Sequence, residues 1–311
     1  MYRYIGKRLL QLIPILLGIT LLSFALMYSV TGDAVDAFYD NAGGEVSEHV
    51  MEEARHNLGL DKPFLQQYVS WLGHTLQGDM GVSYITKKPI LPTFISKLPN
   101  TLYLTLTSVL LTMAISIPLG ILAAIKQNKF TDYLIRFFSF VGNSLPNFFV
   151  SLLLILFFSV KFNLFSVLGS GNAESIVLPT LTLAISMSAK YTRQVRTAVL
   201  EELNKEYVVA ARARGIREYI IFRKSVLPVV MLTIVTLLSL SIGSLLGGTA
   251  IVESIFMWDG VGKLAIDAIM MRDYPCIQAY VVWMAFIYVF VNLISDIFYH
   301  ALDPRIRLEE E

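Results

Sequence analysis

Long stretches without a single charge alternate along this chain with short stretches crowded with charge, and no other feature restricts the fold as much. Leu9–Val30, Thr101–Ile125, Phe137–Val160, Ser225–Val252 and Tyr274–Ser295 contain no charged residue. Each supplies the roughly 20 apolar residues that a helix needs to cross about 30 Å of hydrocarbon. A sixth stretch, Ser175–Ala189, is uncharged for 15 residues. It is expected to continue helically past Lys190, Arg193 and Arg196, whose long side chains reach the interface. Only 16% of the 311 residues are charged, against roughly 25% in ordinary soluble domains. The pattern predicts an all-α polytopic membrane protein with six spans, at residues 9–30, 101–125, 137–160, 175–196, 225–252 and 274–298.

The first run follows Arg3, Lys7 and Arg8, which is also how a signal peptide begins. Its 22 uncharged residues exceed the usual 7–15 residue core of a signal peptide, and no A-x-A-like site follows, so it reads as a retained helix. Loop charge sets the orientation. Thr31–Asn100 holds nine acidic residues against five basic, whereas Lys190–Lys224 holds nine basic against four acidic. Glu253–Asp273 is acidic again, with four against two. The alternation predicts cytosolic termini and a cytosolic 201–224 loop.

Other chemistries find little footing. A net charge of +1 provides no bulk field for nucleic acid. The single cysteine, Cys276, excludes an internal disulfide and any CxxC site. No HExxH is present, and Gly260-Val261-Gly262-Lys263 lacks the hydroxyl residue that would complete a phosphate loop. The chain is not expected to be an enzyme or to bind a cofactor. If ATP is used, another chain must hold it.

Residues 31–100 are expected to form a small helical insertion outside the membrane. Glu45–Leu58 reads as one amphipathic helix ended by Gly59, and Asp61-Lys62-Pro63 opens a second that ends near Gly78. His49, Glu53 and His56 share a face of the first, as a candidate metal-ligand set or as a solvated polar face. Within the spans, Ser239, Gly243 and Gly247 recur at every fourth residue, a spacing for close helix contact, either with a partner or within this chain. Asn143, Ser144 and Asn147 flank Pro146; they either satisfy the backbone that the proline disturbs or line a pathway.

The most specific text is Glu206-Tyr-Val-Val-Ala-Ala-Arg-Ala-Arg-Gly-Ile216, followed by Val226-Leu227-Pro228. It predicts a helix over Glu201–Arg214, a stop at Gly215 and a second helical piece over Glu218–Ser225 that re-enters the membrane. On physics alone, this elbow either receives another protein or rests on anionic lipid. Ala210-Ala211, Gly215 and Leu227-Pro228 resemble the EAA loop of ABC importer permeases, with Val209 in place of the motif's Glu and Ser225 in place of its Ile. Leu58-Gly-Leu-Asp-Lys-Pro63, Gly78-Asp-Met-Gly-Val-Ser83, Met257-Trp-Asp-Gly-Val-Gly262 (with Asp259 where the family has Pro), Arg272-Asp-Tyr-Pro275 and Asp303-Pro-Arg-Ile-Arg307 extend the resemblance to the dipeptide/oligopeptide/nickel subfamily.

That resemblance implies the type I importer permease fold and a place in the bacterial inner membrane. It also implies four partners besides the bilayer: a second homologous permease, two cytosolic ATPase subunits that bind ATP and Mg²⁺, and an extracytoplasmic binding protein. Tyr207, Ala210, Ala211, Arg212, Arg214 and Gly215 become the expected coupling residues, the alanines for close docking and Arg212 as a hydrogen-bonding fork. The short Lys161–Glu174 loop, Ser83-Tyr-Ile-Thr86 and Leu203-Asn-Lys-Glu-Tyr207 look closest to nickel-type members. Nickel or a nickel chelate is therefore the expected cargo, with di- or oligopeptides as the alternative and a passive channel as a remoter one.

Overall fold

The computed structural model describes residues 2–29, 35, 47–58, 60–166 and 174–302. Within them the chain is helical apart from turns and one isolated antiparallel bridge, Val82–Pro89. It divides into two compact units, residues 1–100 with 259–290, and residues 101–258 with 291–311.

The first unit holds α1 (Tyr2–Tyr28), α2 (Glu48–Leu58), α3 (Phe64–Leu76) and α12 (Val261–Met270), together with the start of α4 (Ile90–Ile125) and most of α13 (Tyr274–Leu302). The two expected helices of the insertion are present as α2 and α3; residues 45, 46 and Gly59 lie outside the described residues. Aromatic rings join α1 to α3. Phe24 stands 5.5 Å from Phe64, 5.6 Å from Tyr68 and 5.6 Å from Trp71. The first two are edge-to-face pairs, which add about 0.5–1.5 kcal/mol each beyond the area they bury. The Thr20 and Tyr68 hydroxyls meet at 3.0 Å beneath them. Asp273, buried ahead of α13, accepts a 2.5 Å bond from the Ser83 hydroxyl and a 3.2 Å bond from the Tyr84 amide. Asp259, where the family has proline, pairs with Lys97, and its carbonyl accepts from Asn100 at 2.8 Å. The departure from the motif thus adds one side-chain tie, to Lys97, that a proline could not make, whereas the carbonyl contact is open to either residue.

The second unit holds the rest of α4, α5 (Phe130–Ser144), α6 (Asn147–Leu154) with a wider π-helical continuation over Ile155–Lys161, α7 (Val177–Leu203), α8 (Glu206–Ala213), α9 (Glu218–Ile221), α10 (Leu227–Gly248) and α11 (Ala250–Ile255). Its core is mainly aliphatic, with Leu104, Leu183, Val195, Val199, Val208, Val230, Ile234 and Val252 joined by Tyr191 and Phe256. A built Cβ at Gly120 on α4 would lie 2.6 Å from Val195 Cβ and 2.8 Å from the Thr192 carbonyl oxygen on α7. Only glycine permits that approach.

Each of the six apolar stretches falls on helix, but the helices are cut differently from the sequence pattern. α4 starts at Ile90, eleven residues before the expected 101, because Ile90–Asn100 is amphipathic end-of-helix rather than loop. The expected 137–160 span is not one rod. It breaks at Leu145–Pro146, and its two halves meet at 103°. Proline cannot donate to the carbonyl four residues back, and it drives the preceding residue into extended backbone; Leu145 has ψ 129°. α7 runs on to Leu203, but its charges keep it below the hydropathy of a membrane span, so four straight helices and the broken pair meet that criterion among the described residues. The 225–252 run is divided at Thr249 into α10 and α11.

Candidate coupling site

The 201–224 segment folds as the elbow that its residues predict, with two changes. The single expected helix over Glu201–Arg214 is interrupted at Asn204–Lys205, so Glu201–Leu203 finish α7 and α8 begins at Glu206. Glu206 then sits in the first turn of α8 and Arg212 in the last, each favourable to the helix dipole. Gly215 adopts φ +74°. Its amide donates to the Arg212 carbonyl at 2.9 Å, and the Ile216 amide donates to the Ala211 carbonyl at 3.2 Å. This pair of bonds is the Schellman stop, which needs a left-handed residue between its donors. After the turn, α9 passes into a π-helical turn over Phe222–Val226 and on into α10. Pro228 removes the donor that residue 224 would have bonded in an α-helix, and the widened turn lies where the ladder must be re-spaced.

The expected coupling residues do not all face outward. Ala210, Arg212, Arg214, Gly215 and Tyr207 are exposed. Ala211 is buried with Val208 in the chain's own core, so it cannot be a docking surface as the sequence suggested; its small size serves the packing of α8 onto its own unit. Val209, which stands where the family motif has Glu, is exposed instead, and Tyr219 and Ile220 join it beyond the elbow. Arg212 is not a free fork. Its Nε donates to Glu218 Oε1 at 2.6 Å and its second nitrogen to Oε2 at 3.2 Å, bridging α8 and α9 across Gly215. The Glu218 carboxylate raises the guanidinium's pKa further above its ordinary value. Tyr207 donates to Glu202 at 2.7 Å, and partial burial followed by this bond pushes its phenol up to about 12. Neither group titrates near neutrality.

The remaining candidates are dispersed. Gly243 is buried on α10, while the surroundings of Ser239 and Gly247 lie outside the described residues. The Ser144 hydroxyl donates to the Phe140 carbonyl at 2.9 Å and Asn147's carbonyl accepts from Ser151 at 3.0 Å, both local backbone contacts; Asn143 is exposed. His49, Glu53 and His56 are exposed on α2, and His56 Nδ1 lies 2.8 Å from Asp61. That contact holds the Asp61 carboxyl below its usual pKa. Among the described residues no three His, Cys, Asp or Glu side chains converge as a metal set.

Three arrangements have no counterpart in the sequence reading. Asp132, fully buried at the start of α5, accepts both prongs of Arg196 from α7 at 2.7 and 2.8 Å, and the Asn128 amide at 2.9 Å. Glu253, fully buried on α11, accepts from Thr101 at 2.8 Å and Thr249 at 3.1 Å. Gly120 is the third. The only available signals were a lone acid amid the basic Lys126–Arg136 stretch and an acid directly abutting an apolar run.

Residues 116–308 match the family described as binding-protein-dependent transport system inner membrane component, and residues 1–105 match its N-terminal companion. The oligopeptide transport system permease protein AppB of Bacillus subtilis (strain 168) is 39% identical over 317 residues, covering 98% of this chain and 99% of that protein. The glutathione transport system permease protein GsiC of Escherichia coli (strain K12) is 35% identical over 307 residues, covering 99% of each. Among solved structures, the inward-facing MetNI methionine ABC transporter superposes with a TM-score of 0.56 at 18% identity, over 68% of this chain and 96% of that one. An amino acid ABC transporter crystallised with histidines gives 0.54 at 21%, over 68% and 94%. At such identities the likeness speaks for fold alone. The fold is that of type I ABC permeases, and the chain belongs to the family of binding-protein-dependent transport system inner membrane components.

Proposed function

We propose that this chain is the membrane-spanning permease of an ATP-driven importer of small peptides. It pairs with a second permease, receives cargo from an external binding protein and is moved by two cytosolic ATPase subunits, which hold ATP and Mg²⁺. Its termini and elbow lie in the cytosol of a bacterial inner membrane. The observation that carries the cargo assignment is near-complete coverage by permeases named for oligopeptide and glutathione transport. Those names favour the peptide alternative over the nickel expected from local phrases in the sequence.

In this reading, ATP-driven closure of the ATPases presses on the exposed elbow face formed by Tyr207, Val209, Ala210 and Tyr219. The Schellman stop at Gly215 and the Arg212–Glu218 fork pass that movement to α10 as a unit, and the permease alternates between inward-open and outward-open states. The test is ATP hydrolysis by the purified complex in nanodiscs. Binding protein would be added empty, loaded with a peptide mixture or glutathione, and loaded with nickel and histidine. Stimulation by the peptide-loaded form is expected; stimulation by the nickel-loaded form alone would return the cargo to metal. ATP-independent flux in liposomes would replace the importer with a channel.

A further inference from the structure

A groove of about 420 Å³ opens between α5 and α7 in the second unit. Tyr133, Arg136, Phe137 and Phe140 contribute from α5 at i, i+3, i+4 and i+7, one helix face. Arg193 and Arg196 contribute from α7. No acidic side chain lines it. Asp132 behind it cancels the charge of Arg196 through the two-pronged bond, so Arg136 and Arg193 leave two positive charges in excess. Both are exposed, and among the described residues neither forms an ion pair; Arg136 lies 5.7 Å over the Tyr133 ring.

The groove's depth is written into the sequence. On α5 it straddles the step from the charged Lys126–Arg136 stretch to the uncharged run that begins at Phe137. On α7 it lies just beyond the end of uncharged Ser175–Ala189. Both helices therefore place it where hydrocarbon gives way to headgroups, with cations on the polar side and exposed Phe137 and Phe140 on the apolar side. A soluble anion would use only the arginines, whereas a phospholipid would use both halves.

We propose that this groove binds the phosphate headgroup of an anionic phospholipid, Arg136 and Arg193 holding the phosphate and Phe137 and Phe140 packing on the upper acyl chain. Basic pockets between helices at a membrane face bind such headgroups. The lipid belongs to the leaflet assigned above to the cytosol, and the site rests on that orientation but not on the cargo.

The test is native mass spectrometry of the purified importer complex, released from nanodiscs of phosphatidylcholine with phosphatidylglycerol. Wild type is expected to retain phosphatidylglycerol. Arg136→Gln and Arg193→Gln are each expected to weaken that retention about fivefold, at about 1 kcal/mol per arginine near a charged surface. Both arginines are exposed, so the fold should be unaffected, and Arg196 is left intact to keep Asp132 paired. Unchanged retention in the double variant would overturn the proposal. So would equal loss of phosphatidylcholine, displacement of the lipid by inorganic phosphate, or absence of bound lipid from the wild-type complex. None of these readouts depends on transport, so a wrong cargo leaves this test intact.

Discussion

Two arginine–carboxylate forks in the second unit have nearly the same geometry and opposite surroundings. Arg196 grips Asp132 where the carboxylate is 0% exposed and the arginine 17%. Arg212 grips Glu218 where the two are 41% and 65% exposed. Two glycines repeat the contrast. Gly120 has ordinary backbone and no room for a Cβ, whereas Gly215 has open space around it and a backbone only glycine adopts without strain. The α5–α7 region is fixed by what surrounds each residue, the elbow by local conformation and solvent-screened charge. The first can bear load; the second can be moved.

The largest expected effect comes from stripping the buried fork of its acid. Asp132→Ala leaves Arg196 charged and uncompensated, a change that costs about 3–5 kcal/mol. Thermal unfolding in nanodiscs should show it as a large loss of stability, and an unchanged midpoint would place the pair in water. Gly120→Ala should follow at about 1–3 kcal/mol, since the new methyl meets Val195 and backbone and not a flexible chain end. The same assay reads it, and a second change of Val195→Ala should restore part of the loss. Gly215→Ala comes next, at about 1–2 kcal/mol of left-handed strain. Its main signature should be ATP hydrolysis that continues while transport falls; if both fall together, the elbow is not the point of coupling. Smallest is Arg212→Ala, under about 1 kcal/mol in an exposed pair. The wild-type contribution should fade between low and high salt, because exposed charges are screened within about 10 Å at 0.1 M. A salt-independent loss would mean that the fork is shielded, most simply by a docked partner.

The sequence carried this contrast unevenly. The apolar runs announced their helices because the composition that marks each one lies within a continuous segment, although the 137–160 run bends at Pro146 and the 225–252 run divides at Thr249. Gly215 announced its turn because its neighbours in sequence are its partners in the Schellman stop. The reading failed where a partner is distant in the chain. Asp132 and Arg196 are separated by 64 positions, and Glu253 finds Thr101 across 152, so neither burial is visible from local composition. Ala211 looked like a docking surface because small size suits both a partner's backbone and a chain's own core. Pro146 was legible as a disturbance, with its flanking polar residues left either to satisfy the backbone or to line a pathway, but the 103° turn depends on what the two halves pack against.

The widened turn over Phe222–Val226 ties the two regions together. A π-helical turn holds more residues than an α-helical turn for the same advance, so it sets the rotational phase of everything beyond it. Removing one residue from it would rotate α10 by about 100° about its own axis relative to the elbow. Val230 and Ile234, now fully enclosed, would swing off the core they fill. The face that the elbow exposes and the face that α10 turns to its core are thus two readings of one angle, and neither can drift without the other.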